Sequence, residues 1–153
     1  MSMVGKRRTG WLLLVGMVAV LVLAACASNS TPTSVTKGEG RPVTVEGGMY
    51  RDISVADLQA MLQEKDFVLV NVHEPFEGNI PGTDLSIPFN QIAQQADQLP
   101  QDKDAKIVVY CRSGAMSAIA ARTLVQMGYT NVWNLDGGMN AWRQAGLPLE
   151  ATP

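Results

Sequence analysis

Two short, unbroken apolar runs, Phe67-Val68-Leu69-Val70 and Ile107-Val108-Val109-Tyr110, constrain this chain more than any other feature. A strand with one wet face alternates apolar and polar side chains, so a strand apolar at every position has both faces covered. Helices lying on both sides of a parallel sheet provide that cover. The intervening residues predict such helices. Ser54 is a helix N-cap with Asp57 in the first turn, and Val55, Leu58, Met61 and Leu62 follow at helical spacing. Asn90 to Leu99 reads as a polar, weakly periodic helix ended by Pro100. After the strand from Lys106 to Tyr110 comes a small-residue loop. A helix follows, with Met116, Ile119, Ala120, Leu124 and Met127 on one stripe and Gly128 as its stop. Val132 to Leu135 forms a third strand, and Gly138 to Ala145 a last short helix. This alternation predicts an α/β domain with a mainly parallel central sheet flanked by helices. In such sheets ligands bind at the carboxyl ends of strands, where Cys111 lies.

The first 25 residues have a different character. Lys6, Arg7 and Arg8 precede an apolar run of 15 residues, Trp11 to Ala25, which is the pattern of an export signal. Leu23-Ala24-Ala25-Cys26 resembles a bacterial lipobox, which implies cleavage before Cys26 and lipidation of its thiol. An uncleaved signal anchor is the alternative, although a bilayer calls for about 20 apolar residues. Either way, the expectation is a protein held at the cell membrane on its extracytoplasmic face. Residues 26–46, rich in Ser, Thr, Gly and Pro, read as a flexible tether, and 47–153 as the folded domain.

Three of the 12 Lys and Arg residues precede Cys26; the remainder carries nine against 14 Asp and Glu, a net charge of −5. That balance argues against a nucleic-acid partner, whose phosphates require a basic face. With Cys26 committed to the leader, Cys111 stands alone, so neither an intramolecular disulfide nor a cysteine metal cluster is expected. A lone thiol in an oxidising compartment is a liability unless it is buried or used.

The segment from Cys111 to Ser117, CRSGAMS, puts that thiol between a buried strand and a helix N-terminus. Unsatisfied backbone N–H groups there favour an anion, and a thiol in that position is acidified. Gly114 lets the loop curl into an anion nest, and Arg112 adds charge at the rim. Two other readings fit the same spacing. Cys111 suits a small core residue at a tight turn, and the loop could hold an anion without using the thiol.

Four stretches in order resemble the rhodanese-like (sulfurtransferase) superfamily, from about Tyr50 to Glu150. Phe67 to Glu77 resembles a core strand followed by Asp-Val-Arg-x-x-x-Glu. Asn79 to Thr83 resembles His-Ile-Pro-Gly-Ala, with Ser86-Ile87-Pro88 in place of Asn-Ile-Pro. Val108 to Ser117 resembles the active-site strand and its Tyr-Cys-x-x-Gly-x-Arg-Ser loop. Leu135 to Trp142 resembles Leu-x-Gly-Gly-x-x-x-Trp, trailed by Gly146-Leu147-Pro148. The resemblance implies a three-layer α/β domain and a sulfurtransferase without cofactor or metal. Cys111 would take the outer sulfur of a small donor such as thiosulfate, hold it as a persulfide, and pass it to a thiol or cyanide. Residues 112–117 (Arg112, Ser113, Gly114, Ala115, Met116 and Ser117) would bind the anion. The six-residue loop from Cys111 to Met116 has the length the family uses for sulfur. Its phosphatase relatives use one residue more, which counts against an arsenate- or phosphate-ester enzyme.

Three departures accompany the resemblance. Met116 ends the loop where Arg or a hydroxyl residue is usual, Asn71 and His73 replace the Asp and Arg, and the stretch from His73 to Gly78 is about three residues short. If Asn71 and Met116 face each other, the loss of both charges is compensatory, and thiosulfate binding is weakened. The alternative function is therefore a weakly active or inactive binding or sulfur-carrier module at the membrane, with no protein partner identifiable. His73, at the possible site rim, reads either as a base or donor or as a solvated loop residue. Glu74 and Glu77 read as a solvated acidic loop without a partner, Trp133 and Trp142 as core, and Gly137-Gly138 as a tight turn too short for a dinucleotide fingerprint.

Overall fold

The computed structural model describes residues 38–151; the segments expected to be an export signal, a lipidation site at Cys26 and a tether up to Lys37 lie outside the described residues. At the centre of the sheet runs β5, Ile107–Tyr110, buried at all four positions. Its side chains alternate as a two-residue period requires. Ile107 and Val109 enter one core cluster, and Val108 and Tyr110 the other. Each such aliphatic side chain contributes about 1.5–3 kcal/mol by leaving water, so two-faced burial makes β5 a rigid base for the residue after it.

Two strands flank β5 in parallel: β3, Val68–Asn71, and β6, Val132–Leu135. Beyond β3 lies the short strand β4, Leu85–Ser86. Beyond β6 lies β2, Gly48–Ile53, which pairs antiparallel with the edge strand β1, Arg41–Val45. The order is β1-β2-β6-β5-β3-β4, parallel except at that hairpin. Helix α1, Val55–Gln63, and helix α3, Gly138–Gln144, cover one face through Leu58, Met139 and Trp142. Helix α2, Ala115–Gln126, covers the other through Ala120, Ala121, Leu124 and Val125. This is the expected three-layer α/β arrangement. Ser54 and Asp57 form the full reciprocal capping box, each side chain accepting the other's backbone N–H.

Three local expectations are corrected. The domain begins before Gly47, because β1 occupies residues assigned to the tether. Backbone pairing fixes β1, in a register running from Arg41↔Asp52 to Val45↔Gly48, and the Arg41–Asp52 ion pair closes its outer end. The only apolar cue is the pair Val43 and Val45, which pack partly buried on the core. Asn90 to Leu99 is not a helix; it contains two three-residue 3-10 turns, at Phe89–Gln91 and Ala96–Gln98. With only Ile92 and Leu99 buried, the segment offers too little apolar face to hold a full helix on the sheet. Ile119 does not lie on the buried stripe of α2 but is 46% exposed. Ala120, Leu124 and Val125 set that face, and one residue earlier the helix has turned about 100° away. Among the described residues, no helix is long and apolar enough to cross a membrane.

Candidate active site

Cys111 continues the alternation of β5, so its side chain falls on the α2 side of the sheet and is 1% exposed. There Sγ accepts hydrogen bonds from the Gly114 backbone N–H at 3.1 Å and the Ser117 hydroxyl at 3.5 Å. Gly114 is the N-cap of α2 with φ +96°, a left-handed conformation open to glycine, and this folds the loop back over the sulfur. The Ser117 hydroxyl also lies 3.1 Å from the Gly114 carbonyl oxygen. A hydroxyl carries one proton, so it serves one acceptor at a time, and a negative sulfur draws it inward. Burial is the largest influence on the thiol and pushes its pKa up. Hydrogen bonds from the Ser117 hydroxyl and from the backbone of Ser117, Ser113 and Gly114 together outweigh it, leaving the pKa below the ordinary 9.0. The donors around Sγ favour the thiolate over what burial alone would allow.

The loop's outer side explains why its amides face inward. The carbonyl oxygens of Cys111 and Arg112 accept from Met139 N and Asn140 N, in the first turn of α3, at 2.9 Å each. With those carbonyls pinned outward, the loop's N–H groups turn toward Sγ. The approach is so close that a Cβ on Gly138 would lie 2.1 Å from the Cys111 carbonyl oxygen. The Gly137-Gly138 turn is thus the outer clamp of the cysteine loop. Sequence reasoning saw the glycine pair and missed this role.

A family model for the rhodanese-like domain matches residues 54–145. The chain belongs to the rhodanese-like domain family. It is similar to a sulfurtransferase of Allochromatium vinosum, 41% identical over 96 residues, 61% of this chain and 87% of that protein. It is also similar to the thiosulfate sulfurtransferase GlpE of Vibrio cholerae, 30% identical over 103 residues, 67% of this chain and 97% of that one. Among solved structures, a rhodanese-related protein from Thermoplasma volcanium superposes with a TM-score of 0.58 at 31% identity, covering 67% of this chain and all of that one.

Within the rhodanese-like fold, the loop residues singled out from the sequence are together. Arg112, Ser113 and Ala115 are exposed at the loop's outer edge, Gly114 and Met116 are half-buried, and Ser117 is buried against the sulfur. The two rim candidates are not at a solvated rim: Asn71 and His73 are 1% and 7% exposed. Nor does Asn71 face Met116. Met116 packs on the α2-side core, whereas Asn71 points to the other face of the sheet. There its Nδ2 donates to the Gly78 carbonyl at 3.0 Å and to Asn79 Oδ1 at 2.9 Å. The hydrogen-bond partner of Asn71 is therefore Asn79. Asn79 Oδ1 also accepts from the Tyr110 hydroxyl at 3.2 Å, and that hydroxyl accepts from Ile80 N at 3.0 Å. This buried network ties the Asn79–Thr83 turn to the end of β5. Burial pushes the Tyr110 hydroxyl's pKa up to about 12, against smaller opposing bonds from Thr83 and Ile80.

Glu77 also departs from expectation, because it has partners. Its carboxylate lies 3.0 Å from Arg112 Nη1 and 3.5 Å from His73 Nε2. Burial raises the Glu77 pKa, but the neighbouring His73 ring and Arg112 guanidinium outweigh it, and the net shift is downward. The rim charge of Arg112 is therefore largely matched by Glu77. His73, despite that proximity, makes no hydrogen bond through either ring nitrogen. Trp142 is core, with Nε1 donating to the Pro148 carbonyl at 2.8 Å, while Trp133 is half-buried beneath the Arg51 guanidinium. Among the described residues, no three His, Cys, Asp or Glu side chains gather as metal ligands.

Proposed function

We propose that this chain is a sulfurtransferase in which Cys111 carries the transferred sulfur as a persulfide. The observation that carries this reading is the acidified Cys111 sulfur, held by the Gly114 amide and the Ser117 hydroxyl at the carboxyl end of β5. The names of the relatives from Allochromatium vinosum and Vibrio cholerae support it. The Cys111 thiolate attacks the outer sulfur of thiosulfate and forms a new S–S bond. The donor's S–S bond breaks, and sulfite leaves with its electron pair. A thiol acceptor, as thiolate, then attacks the outer sulfur of the persulfide and releases the Cys111 thiolate. The loop amides stabilise the negative sulfur at both ends of the cycle. A Cys111 that is 1% exposed requires a donor that presents its sulfur end-on.

Intact-protein mass after thiosulfate treatment tests the reading. The expected result is a gain of one sulfur atom on the peptide containing Cys111, with sulfite released, and neither in Cys111→Ser. Sulfite release that survives in Cys111→Ser refutes it. A slow sulfur-carrier module at the membrane is the second reading, favoured by the burial of the thiol. It is distinguished by sulfur loading without multiple turnovers.

We also propose that the chain is a lipoprotein anchored on the extracytoplasmic face through Cys26. The support is the basic Lys6-Arg7-Arg8 cluster, the apolar run from Trp11 to Ala25, and the Leu-Ala-Ala-Cys sequence. Expression with labelled palmitate should give a labelled, membrane-bound protein, and Cys26→Ala should lose the label. A labelled Cys26→Ala protein overturns the assignment.

A further inference from the structure

The loop from Cys111 to Ser117 carries one cation, Arg112, and the fold brings a carboxylate to it from a distant part of the chain. Arg112 Nη1 donates to Glu77 Oε1 at 3.0 Å, and His73 Nε2 lies 3.5 Å from the same oxygen. On the loop's other side, Asp136 Oδ1 comes within 4.0 Å of the place a Cβ on Gly114 would take. The rim is thus not left with surplus positive charge. Glu77 is also held from behind. Asn79 N donates to the Glu150 carbonyl and Glu150 N to the Asn79 carbonyl, at 2.8 Å each, an isolated antiparallel bridge. Between Glu77 and that bridge lies Gly78, with φ +118°, whose carbonyl accepts from Asn71 Nδ2 at 3.0 Å. A Cβ on Gly78 would stand 2.9 Å from the Glu150 carbonyl oxygen, so a glycine there lets the two segments close. Leu147 and Leu149 pack on the core cluster under α1 and α3, which fixes the bridge to the domain.

An exposed ion pair contributes little to stability, but a charge beside a reacting sulfur acts on every charged reagent that approaches it. Arg112 follows Cys111 directly, inside the screening length of about 10 Å at 0.1 M salt. Alone, its guanidinium would favour anionic reagents over neutral ones. With a carboxylate 3.0 Å away, the two fields largely cancel for a reagent arriving from solvent. Resting on the reading of Cys111 as the reactive sulfur, we infer that Glu77 sets the charge selectivity of the site. It cancels the preference for anions that Arg112 would confer, and the Asn79–Glu150 bridge positions it to do so. Glu77 touches no reagent and acts through Arg112. Sulfur donors are then sorted by access to Sγ rather than by charge, and a dianion such as thiosulfate gains no advantage over a neutral sulfane donor.

The test alkylates Cys111 of the full chain with iodoacetate, an anion, and with iodoacetamide, its neutral counterpart, and maps both products by mass spectrometry. Both reagents require the thiolate, so a shifted thiol pKa cancels in the ratio of their rates and the charge effect remains. Glu77→Gln should raise the iodoacetate-to-iodoacetamide ratio about two- to fivefold at about 0.01 M ionic strength, where the screening length is about 30 Å. Most of that gain should vanish at about 1 M, where the length is about 3 Å. Glu150→Pro deletes one of the two bridge hydrogen bonds and should raise the ratio about twofold over Glu150→Gln, which loses the same charge but keeps the N–H. Gly78→Ala opens the bridge from the other side and takes the place of Glu150→Pro if that chain does not fold. In a Glu77→Gln background, opening the bridge should add nothing. A ratio unmoved by Glu77→Gln at low salt overturns the inference, as does a gain that persists at high salt. Equal ratios in folded Glu150→Pro and Glu150→Gln, or a bridge effect that survives without Glu77, overturn the positioning role. Sulfur loading from thiosulfate, followed in the same proteins, keeps the two readings apart. Loading without a charge effect removes this inference and leaves the sulfurtransferase reading; a charge effect without loading does the reverse.

Discussion

Replacing Gly138 by alanine should unseat the cysteine loop, although Gly138 touches no substrate. At φ +54° an L-residue is in the left-handed region, which costs about 1–2 kcal/mol. The added Cβ would stand 2.1 Å from the Cys111 carbonyl oxygen and 2.9 Å from the Arg112 carbonyl carbon, so the start of α3 must retreat by roughly an ångström. The bonds from Met139 N and Asn140 N, now 2.9 Å, then stretch out of range. Each is worth about 0.5–1.5 kcal/mol, which brings the whole to about 2–5 kcal/mol. Gly128→Ala is the matched control. Gly128 has φ +90°, and a methyl added there would meet nothing within 4 Å, so it should show the conformational cost alone. Urea unfolding gives the stabilities. The pH profile of iodoacetamide alkylation, mapped to Cys111, reads the loop. Released from the α3 clamp, the loop amides turn away from Sγ, and the alkylation midpoint should rise in Gly138→Ala and stay put in Gly128→Ala. Equal stability losses in the two variants, with an unshifted profile in both, would refute the clamp.

Three further outcomes follow from the same geometry. Ser117→Ala removes the hydroxyl that faces Sγ, so the alkylation midpoint should rise and the rate at neutral pH fall about two- to tenfold, the worth of one hydrogen bond. Because the folded thiol has a depressed pKa, the unfolded chain binds more protons between that value and the ordinary 9.0. Stability should therefore rise with pH through this window, and fall as pH drops through the folded value; urea titrations of Cys111→Ser should lack that slope. Asn71→Asp sets a carboxylate against the Gly78 carbonyl and Asn79 Oδ1, an expected loss of about 1–3 kcal/mol, and Asn71→Asp combined with Asn79→His should recover part of it in a double-mutant cycle. Strict additivity would show that the two positions are not coupled.

The fold was legible wherever burial is two-sided. Unbroken apolar runs leave β3 and β5 few alternatives, and Ser54 with Asp57 announces the start of α1. Where backbone pairing does the stabilising, the sequence is quiet. The strand β1 shows only Val43 and Val45, and its partner strand supplies the register. The site divides along the same line. Cys111, Gly114 and Ser117 are neighbours along the chain, and local geometry alone brings them together. Asn71 with Asn79, Glu77 with Arg112, and Gly138 with Cys111 meet only because strands are adjacent and α3 packs where it does. The choice of Met116 as the partner of Asn71 failed because residue 71 and residue 116 lie on opposite faces of the sheet, a fact set by register.

That register has a chemical consequence for the proposed reaction. Tyr110 and Cys111 are consecutive, so they point to opposite faces, and the two halves of the site stay separate. On one face, the Tyr110 hydroxyl fixes the Asn79–Thr83 turn through a buried polar network. On the other, Sγ of Cys111 meets donors from α2 and its loop. Among the described residues, no carboxylate is hydrogen-bonded to Sγ, and Glu77 bonds to Arg112 instead. A thiolate and a persulfide anion carry the same sign of charge, so donors aimed at the sulfur favour both over a neutral thiol. The strand that orients the sulfur thereby keeps the polar scaffold from titrating with it.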